Sequence, residues 1–152
     1  MTAEQFRGYI EPAIRQYAAE HVRSGRWEEA GSIDRARAEF DRLLPTGVET
    51  PGQFLFQIRA DGVGDAVGHL WVADRRADGS PGAYVYDLEV YPRYRRRGFA
   101  AEAMRAAEEF ARIRGATSIA LHVFGHNANA IGLYEKLGYR TTNRIMAKEL
   151  VR

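Results

Sequence analysis

The chain contains no cysteine among its 152 residues. This absence excludes disulfide bonds, thiolate metal ligands and a cysteine nucleophile. It fits a protein that works in a reducing compartment, so we expect a cytoplasmic location. No run of apolar residues approaches the roughly 18 that a membrane-spanning helix needs, and the polar start MTAEQFRGYI lacks the pattern of a signal peptide. The sequence therefore predicts no membrane partner.

A strong excess of one charge is also missing. The 22 basic residues are nearly balanced by 20 acidic ones, which leaves a formal net charge of +2. A dedicated nucleic-acid binder usually carries a strong basic stripe, so this balance disfavours nucleic acid as a partner. Apolar residues make up 45% of the chain, which is typical of a globular protein. Because no repeat or flexible linker divides it, we expect a single domain over residues 1–152.

The first half of the chain changes from helical to strand patterns. Residues 4–44 have helical spacing of apolar side chains, which we expect Pro12 to interrupt and Pro45 to end. Aromatic and β-branched residues then dominate three stretches, 53–60, 66–76 and 83–91. The stretches DGVGD and ADGSPG between them have the composition of hairpin turns. This part predicts a three-stranded meander.

The second half alternates between helix and strand. A stripe of small residues predicts a helix over 98–114 that ends at Gly115. A strand over 118–124 follows, then a short helix within HNANAIGLYEKLGY, and a final strand over 139–150. The order predicts an α/β fold, an α+β mixed sheet with a β-α-β crossover near its centre. Ligands bind such sheets at the carboxyl end of the strand that feeds the crossover helix.

The stretch RRRGFA, residues 95–100, connects that strand to that helix. The first N–H groups of a helix have no partner within the helix, so they attract anions such as phosphate. Gly98 would let an oxygen atom approach the backbone without a Cβ in the way. By itself the stretch is more typical of a solvated turn than of a phosphate site, and a nucleic-acid patch is the least favoured alternative.

Three stretches in this order resemble the GCN5-related N-acetyltransferase (GNAT) superfamily, in particular bacterial members of unassigned substrate. They are LEVYPRYRRRGFA, LHVFGHN and NANAIGLYEKLGY, and the resemblance covers residues 53 to 150. It implies the acyl-CoA N-acyltransferase fold, with two N-terminal helices, a meander and a central acetyl-CoA site. It also implies direct transfer of the acetyl group from acetyl-CoA to a primary amine within a ternary complex, without a metal.

The resemblance also implies how coenzyme A binds. Its pyrophosphate would lie on the loop formed by Arg95, Arg96, Arg97, Gly98, Phe99, Ala100 and Ala101. The pantetheine arm would run along the strand backbone from Leu88 to Tyr91, where the Val90 N–H would stabilise the thioester oxygen. Asn127 matches the family asparagine near the pantetheine, although an asparagine here also suits a helix cap.

The catalytic residues implied by the resemblance are a tyrosine and a carboxylate. Tyr134 matches the tyrosine that protonates the leaving thiolate, which a phenol with a pKa of about 10 can do at neutral pH. A packing role in the core is the alternative. Glu89 is the first choice as general base, ahead of Asp87 on the same strand face. His122 and His126 are less favoured as bases.

The resemblance leaves several functions open. The acceptor would approach opposite coenzyme A, where Tyr17, Trp27 and Trp71 could form a wall or simply pack in the core. The donor could instead be a longer acyl-CoA or an aminoacyl-tRNA, or the chain could be a non-catalytic acyl-CoA-binding module. The acceptor amine could belong to a small molecule or a peptide, and a homodimer is open as well.

Overall fold

The computed structural model describes residues 1–148 and 150. In chain order, the elements are α1 (Ala3–Arg23), α2 (Ser32–Leu43), β1 (Gln53–Ile58), β2 (Gly68–Ala77), β3 (Ser80–Val90), α3 (Phe99–Ile113), β4 (Ile119–Leu121) and α4 (Ala128–Lys136). Short 3-10 turns lie at Gly47–Glu49 and Pro92–Tyr94. The predicted helices and meander strands are all present, with small changes at their ends. None of the described helices is long and apolar enough to cross a bilayer.

The first helix is continuous, so the prediction that Pro12 interrupts it is wrong. A proline inside a helix clashes with the carbonyl group four residues earlier, which here belongs to Gly8. Both residues are exposed, so this carbonyl can tilt toward water at little cost. On the opposite side of α1, Tyr9, Ala13 and Ile14 are buried and hold the helix on the core.

The four strands form one mixed sheet in the order β1-β2-β3-β4. The first three pair in antiparallel fashion, and the β2–β3 turn places Asp78 and Gly79 at φ values of 48° and 81°. Two consecutive positive φ values are typical of the turn that matches the strand twist in a tight hairpin. β4 runs parallel to β3, so the predicted crossover through α3 is confirmed.

A β-bulge in β3 decides which side chains face α1. The β2–β3 register shifts so that Trp71 pairs with Asp87 whereas the next residue, Val72, pairs with Val85. Tyr86 is therefore the extra residue of the bulge. Paired residues share a face of a sheet, so Asp87 lies on the same side as Trp71.

Helices cover both faces of the sheet. On one face, α1 and α2 pack against β1 and β2 around the buried residues Ile14, Ala36, Phe40, Leu55 and Trp71. On the other face, α3 packs with its small residues against β2 and β3, around Leu70, Val72, Val85, Met104 and Ala107. These two layers fix the carboxyl end of β3 between α1 on one side and α3 and α4 on the other.

The predicted final strand over 139–150 is wrong for the residues described there, which are 139–148 and 150. Tyr139 still packs against the core, but the apolar side chains that follow lie in water, with Ile145 and Met146 exposed by 77% and 84%. The polar stretch TTNR that precedes them offers no apolar face to bury against the sheet. β4 is also shorter than the predicted 118–124, because only three of its residues pair with β3.

Candidate active site

The carboxyl half of β3 has an open edge. β3 and β4 pair only over Ala83–Val85 and Ile119–Leu121. Beyond that point the chain after β4 turns toward α1, where His126 Nε2 lies 2.5 Å from Glu20 Oε2. Within the described part of the chain, the stretch of β3 from residue 86 to residue 90 therefore has no strand partner on this side. We refer to the space along this unpaired edge, at the carboxyl end of β3, as the cleft.

The open edge presents the Val90 N–H to the cleft. Successive N–H groups of a strand point to opposite edges, and the Tyr91 N–H donates to the Val67 carbonyl on the β2 side at 2.9 Å. The Val90 N–H consequently points away from β2. Leu88 has its side chain packed into the core on the α3 side, so it can offer only its backbone to the cleft.

The loop that follows β3 ends in a row of free N–H groups. Gly98 is the N-cap of α3, with a φ of 88°. Because it has no side chain, it makes no cap hydrogen bond to the first N–H groups of the helix. Among the residues described, no acceptor binds the backbone N–H groups of residues 96–101, which include Phe99, Ala100 and Ala101. A Cβ at Gly98 would meet no atom within 4 Å, so the surface above the loop is open. This row of donors at a helix N-terminus fits a pyrophosphate.

The three arginines of the loop differ in what they contact. Arg95 folds back on the strand end: its Nε donates to the Val90 carbonyl at 2.9 Å, and its Nη2 lies 3.6 Å from Glu89 Oε1. Arg96 adopts φ 61° and is exposed. Arg97 lies over the ring of Tyr94, 5.9 Å from its centroid, and is also exposed. Arg96 and Arg97 can therefore turn toward an anion, whereas Arg95 supports the strand end.

The two candidate carboxylates have unequal partners. Asp87 Oδ2 accepts a hydrogen bond from the Tyr9 hydroxyl at 2.9 Å and lies 2.9 Å from His69 Nε2. Glu89 Oε2 lies 3.7 Å from the same His69 nitrogen, beyond hydrogen-bond distance. Burial, together with the charge of Asp87, raises the pKa of Tyr9 well above its ordinary value, so its hydroxyl keeps its proton. Asp87 is therefore held by two partners at hydrogen-bond distance, whereas Glu89 is not hydrogen-bonded to His69.

Tyr134 lies within α4, and Asn127 is the N-cap of the same helix. Tyr134 is partly buried in the core beside α3. Burial, and then the charge of Asp87, raises its pKa above 10.0, so this hydroxyl is also protonated at neutral pH. Asn127 caps α4, because its Oδ1 accepts a hydrogen bond from the Ala130 N–H at 3.1 Å. The cap accounts for the oxygen of this amide and leaves its nitrogen for another partner.

The two other histidines considered as bases lie apart from the carboxylates. His126 binds Glu20 on α1, as described above. His122 has its ring 4.8 Å from the ring of Phe124, and burial lowers its pKa. Among the described hydrogen bonds, neither histidine contacts Asp87 or Glu89.

The three aromatic residues considered for the acceptor wall separate into two groups. Trp71 is only 2% exposed and donates from Nε1 to Gln53 Oε1 at 2.7 Å, so it is a core residue. Tyr17 and Trp27 are half-buried where α1 approaches the chain after β4. Trp27 stacks on His21 with ring centroids 4.1 Å apart, and the Tyr17 hydroxyl donates to Glu39 at 2.7 Å.

Sequence reasoning missed His69 and Tyr9. Tyr9 fits the apolar pattern of α1, and His69 is a lone histidine in a strand, so neither pattern indicates chemistry. The one usable signal was strand alternation, which puts His69 on the same face as Trp71. Only the register shows that His69 stands opposite Glu89.

Comparisons with known proteins agree with this geometry. The model of the acetyltransferase (GNAT) family matches residues 16–139. The chain is similar to two proteins of Bacillus subtilis (strain 168) described as uncharacterized N-acetyltransferases. YycN is 35% identical over 99% of this chain and 96% of its own length, and YdgE is 31% identical over 99% and 95%.

Solved structures show the same fold. The crystal structure of YycN from Bacillus subtilis, described as a putative acetyltransferase, matches with a TM-score of 0.93 and 35% identity, over 100% of this chain and 96% of that one. The aminoglycoside N-acetyltransferase AAC(6')-Iy, solved in complex with CoA, matches with a TM-score of 0.57 and 21% identity, over 87% and 94%, which shows the fold alone. By its family model and its full-length relatives, the chain belongs to the acetyltransferase (GNAT) family.

Proposed function

We propose that this chain is an N-acetyltransferase that moves the acetyl group of acetyl-CoA to a primary amine within a ternary complex. Membership of the family supports acyltransferase activity. The observation that carries the finer proposal is the continuity of two features, the open edge of β3 and the row of free N–H groups at the start of α3. One elongated ligand with a pyrophosphate at one end and a thioester at the other would satisfy both.

The binding residues follow from this placement. The N–H groups of residues 96–101 would hold the pyrophosphate, with Arg96 and Arg97 adding charge, since charge-assisted hydrogen bonds are stronger than neutral ones. The open edge of β3 would pair with the amides of the pantetheine arm, and the side-chain nitrogen of Asn127 would add a donor from α4. Arg95 would act indirectly, by holding the end of β3.

The acetyl thioester supplies the electrophilic carbonyl carbon. The acceptor nitrogen forms a bond to this carbon, and the carbon–sulfur bond breaks. Glu89 takes one proton from the nitrogen through water, and Tyr134 gives its proton to the sulfur, so that an amide and a free thiol result. The Val90 N–H, which points to the cleft, stabilises the charge on the carbonyl oxygen. Asp87, which Tyr9 and His69 hold, supplies a fixed negative charge beside the reacting groups.

The acceptor would enter from the side of α1 and α2, where Tyr17 and Trp27 lie. Both a small amine and a peptide amine are compatible with such an approach. We place the whole reaction in a single domain over residues 1–152 and expect it to take place in the cytoplasm.

The test is release of free thiol from acetyl-CoA in the presence of a panel of small amines and peptides. We expect thiol release that depends on the amine and falls strongly in Glu89→Gln and Tyr134→Phe. Propionyl-CoA and longer acyl-CoAs, used in parallel, decide the acyl-chain preference. Coenzyme A binding without thiol release for any amine or acyl-CoA would favour a binding module. Binding of aminoacyl-tRNA without coenzyme A binding would contradict the proposal.

A further inference from the structure

His69 is a buried histidine beside the two candidate carboxylates, and the proposed reaction leaves it without a function of its own. It lies on β2 opposite Glu89 and is 6% exposed. The ring of Tyr9 contacts it edge-on, with centroids 4.7 Å apart, and the ring of Tyr91 lies at 5.9 Å. A buried polar side chain is costly unless it is hydrogen-bonded, so its partners matter.

A single atom of His69 faces both candidate carboxylates. Its Nε2 is 2.9 Å from Asp87 Oδ2 and 3.7 Å from Glu89 Oε2. A carboxylate oxygen carries no hydrogen, so Asp87 Oδ2 can only accept, and it already accepts from the Tyr9 hydroxyl. The His69 nitrogen must then be the donor, and Asp87 Oδ2 receives two hydrogen bonds from two different elements, α1 and β2.

Three further side chains lie near the two carboxylates: Tyr91 after β3, Arg95 in the loop that follows and Tyr134 in α4. Glu89 has Arg95 Nη2 at 3.6 Å, an approach that leaves the carboxylate partly free. Tyr91 and Tyr134 contribute only neutral hydroxyls, because burial raises the pKa of both. Asp87 is therefore the carboxylate with fixed donors, and Glu89 is the one with room to take up a proton.

We propose that His69 is a positioning residue that gives the two carboxylates different functions. Its Nε2–H, together with the Tyr9 hydroxyl, engages Asp87 Oδ2 and holds that carboxylate in place, so that Glu89 remains the base. This inference rests on the proposed function, in which Glu89 accepts that proton. It assigns His69 an effect that passes through Asp87 rather than through contact with substrate.

The experiment is a double-variant cycle in the full chain. His69→Leu removes the donor at similar volume, and we expect kcat to fall about 10- to 100-fold, which is the usual effect of losing a hydrogen bond to a charged group, with little change in KM for acetyl-CoA. His69→Gln keeps an N–H donor at the Nε2 position and should recover most of the loss. In the Asp87→Asn background, His69→Leu should change kcat less than threefold, because the effect passes through Asp87.

A purely structural role gives a different pattern. It predicts that the effects of His69→Leu and Asp87→Asn multiply and that His69→Gln recovers nothing, and either result would overturn the inference. The matched control is Gln53→Met, which removes a hydrogen bond of similar length on the same face of the sheet, to Trp71. We expect this control to change kcat less than twofold, with circular dichroism verifying that all variants are folded.

A second readout does not need turnover. Long-range ¹H–¹⁵N NMR of the free protein should show a proton on His69 Nε2, and its signal should exchange faster with water in Asp87→Asn. An unprotonated Nε2 at neutral pH would overturn the inference even in an active enzyme. If the wild type acetylates no amine, the proposed function and the catalytic part of this inference fail, whereas NMR still decides whether His69 holds Asp87.

Discussion

Gly68 and Glu89 lie so close across the β2–β3 ladder that a Cβ atom on Gly68 would overlap the backbone carbonyl of Glu89. The two strands can approach at this point only because residue 68 has no side chain. The contact is at the strand end, beside the pair formed by Gly68 and Val90. The glycine thus fixes the position of the proposed base and of the proposed oxyanion donor together.

Gly68→Ala should therefore reduce both stability and activity. The added methyl group can be accommodated only by moving backbone, which typically costs about 1–3 kcal/mol of the free energy of unfolding. Urea unfolding measures this loss, and kcat should fall because Glu89 moves. Gly64→Ala is the matched control, because a Cβ there meets no atom within 4 Å. Equal stability of the two variants would contradict the close approach.

Replacement of Gly98 and of Arg96 should have unequal effects on coenzyme A affinity. Gly98→Val forces a β-branched residue to φ 88° and covers the free N–H groups, so we expect no measurable binding by calorimetric titration. Arg96→Ala removes one exposed charge and should weaken binding only several-fold. Gly25→Val imposes the same kind of strain at φ 74°, far from the loop, and should bind normally. The reverse ranking of Gly98 and Arg96 would mean that charge, rather than the backbone, holds the pyrophosphate.

Tyr134→Phe tests the proton donor. Loss of the hydroxyl should lower kcat about 10- to 100-fold, within the range of general acid catalysis, while KM for acetyl-CoA changes little. The assay is thiol release under saturating acetyl-CoA. Tyr139→Phe removes a hydroxyl from the neighbouring ring, 5.7 Å away between centroids, and is the control. An unchanged kcat in Tyr134→Phe would leave this tyrosine with a packing role.

His21 should make the protein less stable in mild acid. It is 4% exposed, and burial, followed by the nearby Arg26, lowers its pKa below 6.5. In the unfolded chain its pKa returns to about 6.5, so the unfolded state binds a proton first. The contribution of neutral His21 to the free energy of unfolding should therefore be complete above about pH 6.5. It should decrease as the pH falls toward the lowered pKa of the folded state.

The variant that checks this is His21→Phe, which keeps the stack on Trp27 and removes the titration. Urea unfolding between pH 7.5 and 5.0 should show a smaller loss of stability in the variant than in the wild type. An identical loss in both would place the titration elsewhere, for instance at His122, whose pKa burial also lowers.

Sequence patterns predicted the structure correctly where the interactions join residues that are neighbours in the chain. The Asp78–Gly79 turn, the glycine before α3 and the asparagine at the start of α4 were readable because each satisfies a need of its immediate neighbours. The same reasoning failed at Pro12, where packing of the opposite face of α1 outweighs the local penalty. It failed again at 139–148, where strand-like residues pair with no described strand and Ile145 and Met146 lie in water.

One part of the candidate site also depends on neighbouring residues, and another part depends on residues far apart in the chain. The loop from Arg95 to Ala101 and its free N–H groups follow from a strand, a glycine and a helix that are adjacent in sequence. The partners of Asp87 do not, because Tyr9 and His69 are 78 and 18 residues away along the chain.

Periodicity and turn chemistry act over a few residues, so the order of the elements from α1 to α4, the crossover and the glycine-bearing loop before α3 could be read from the sequence. Which carboxylate is held and which is free depends instead on tertiary contacts. That outcome depends on the bulge at Tyr86 and on the β2–β3 register, which bring His69 opposite Glu89 and beside Asp87. A shift of one residue would turn these side chains to the other face of the sheet, and no local pattern records that choice.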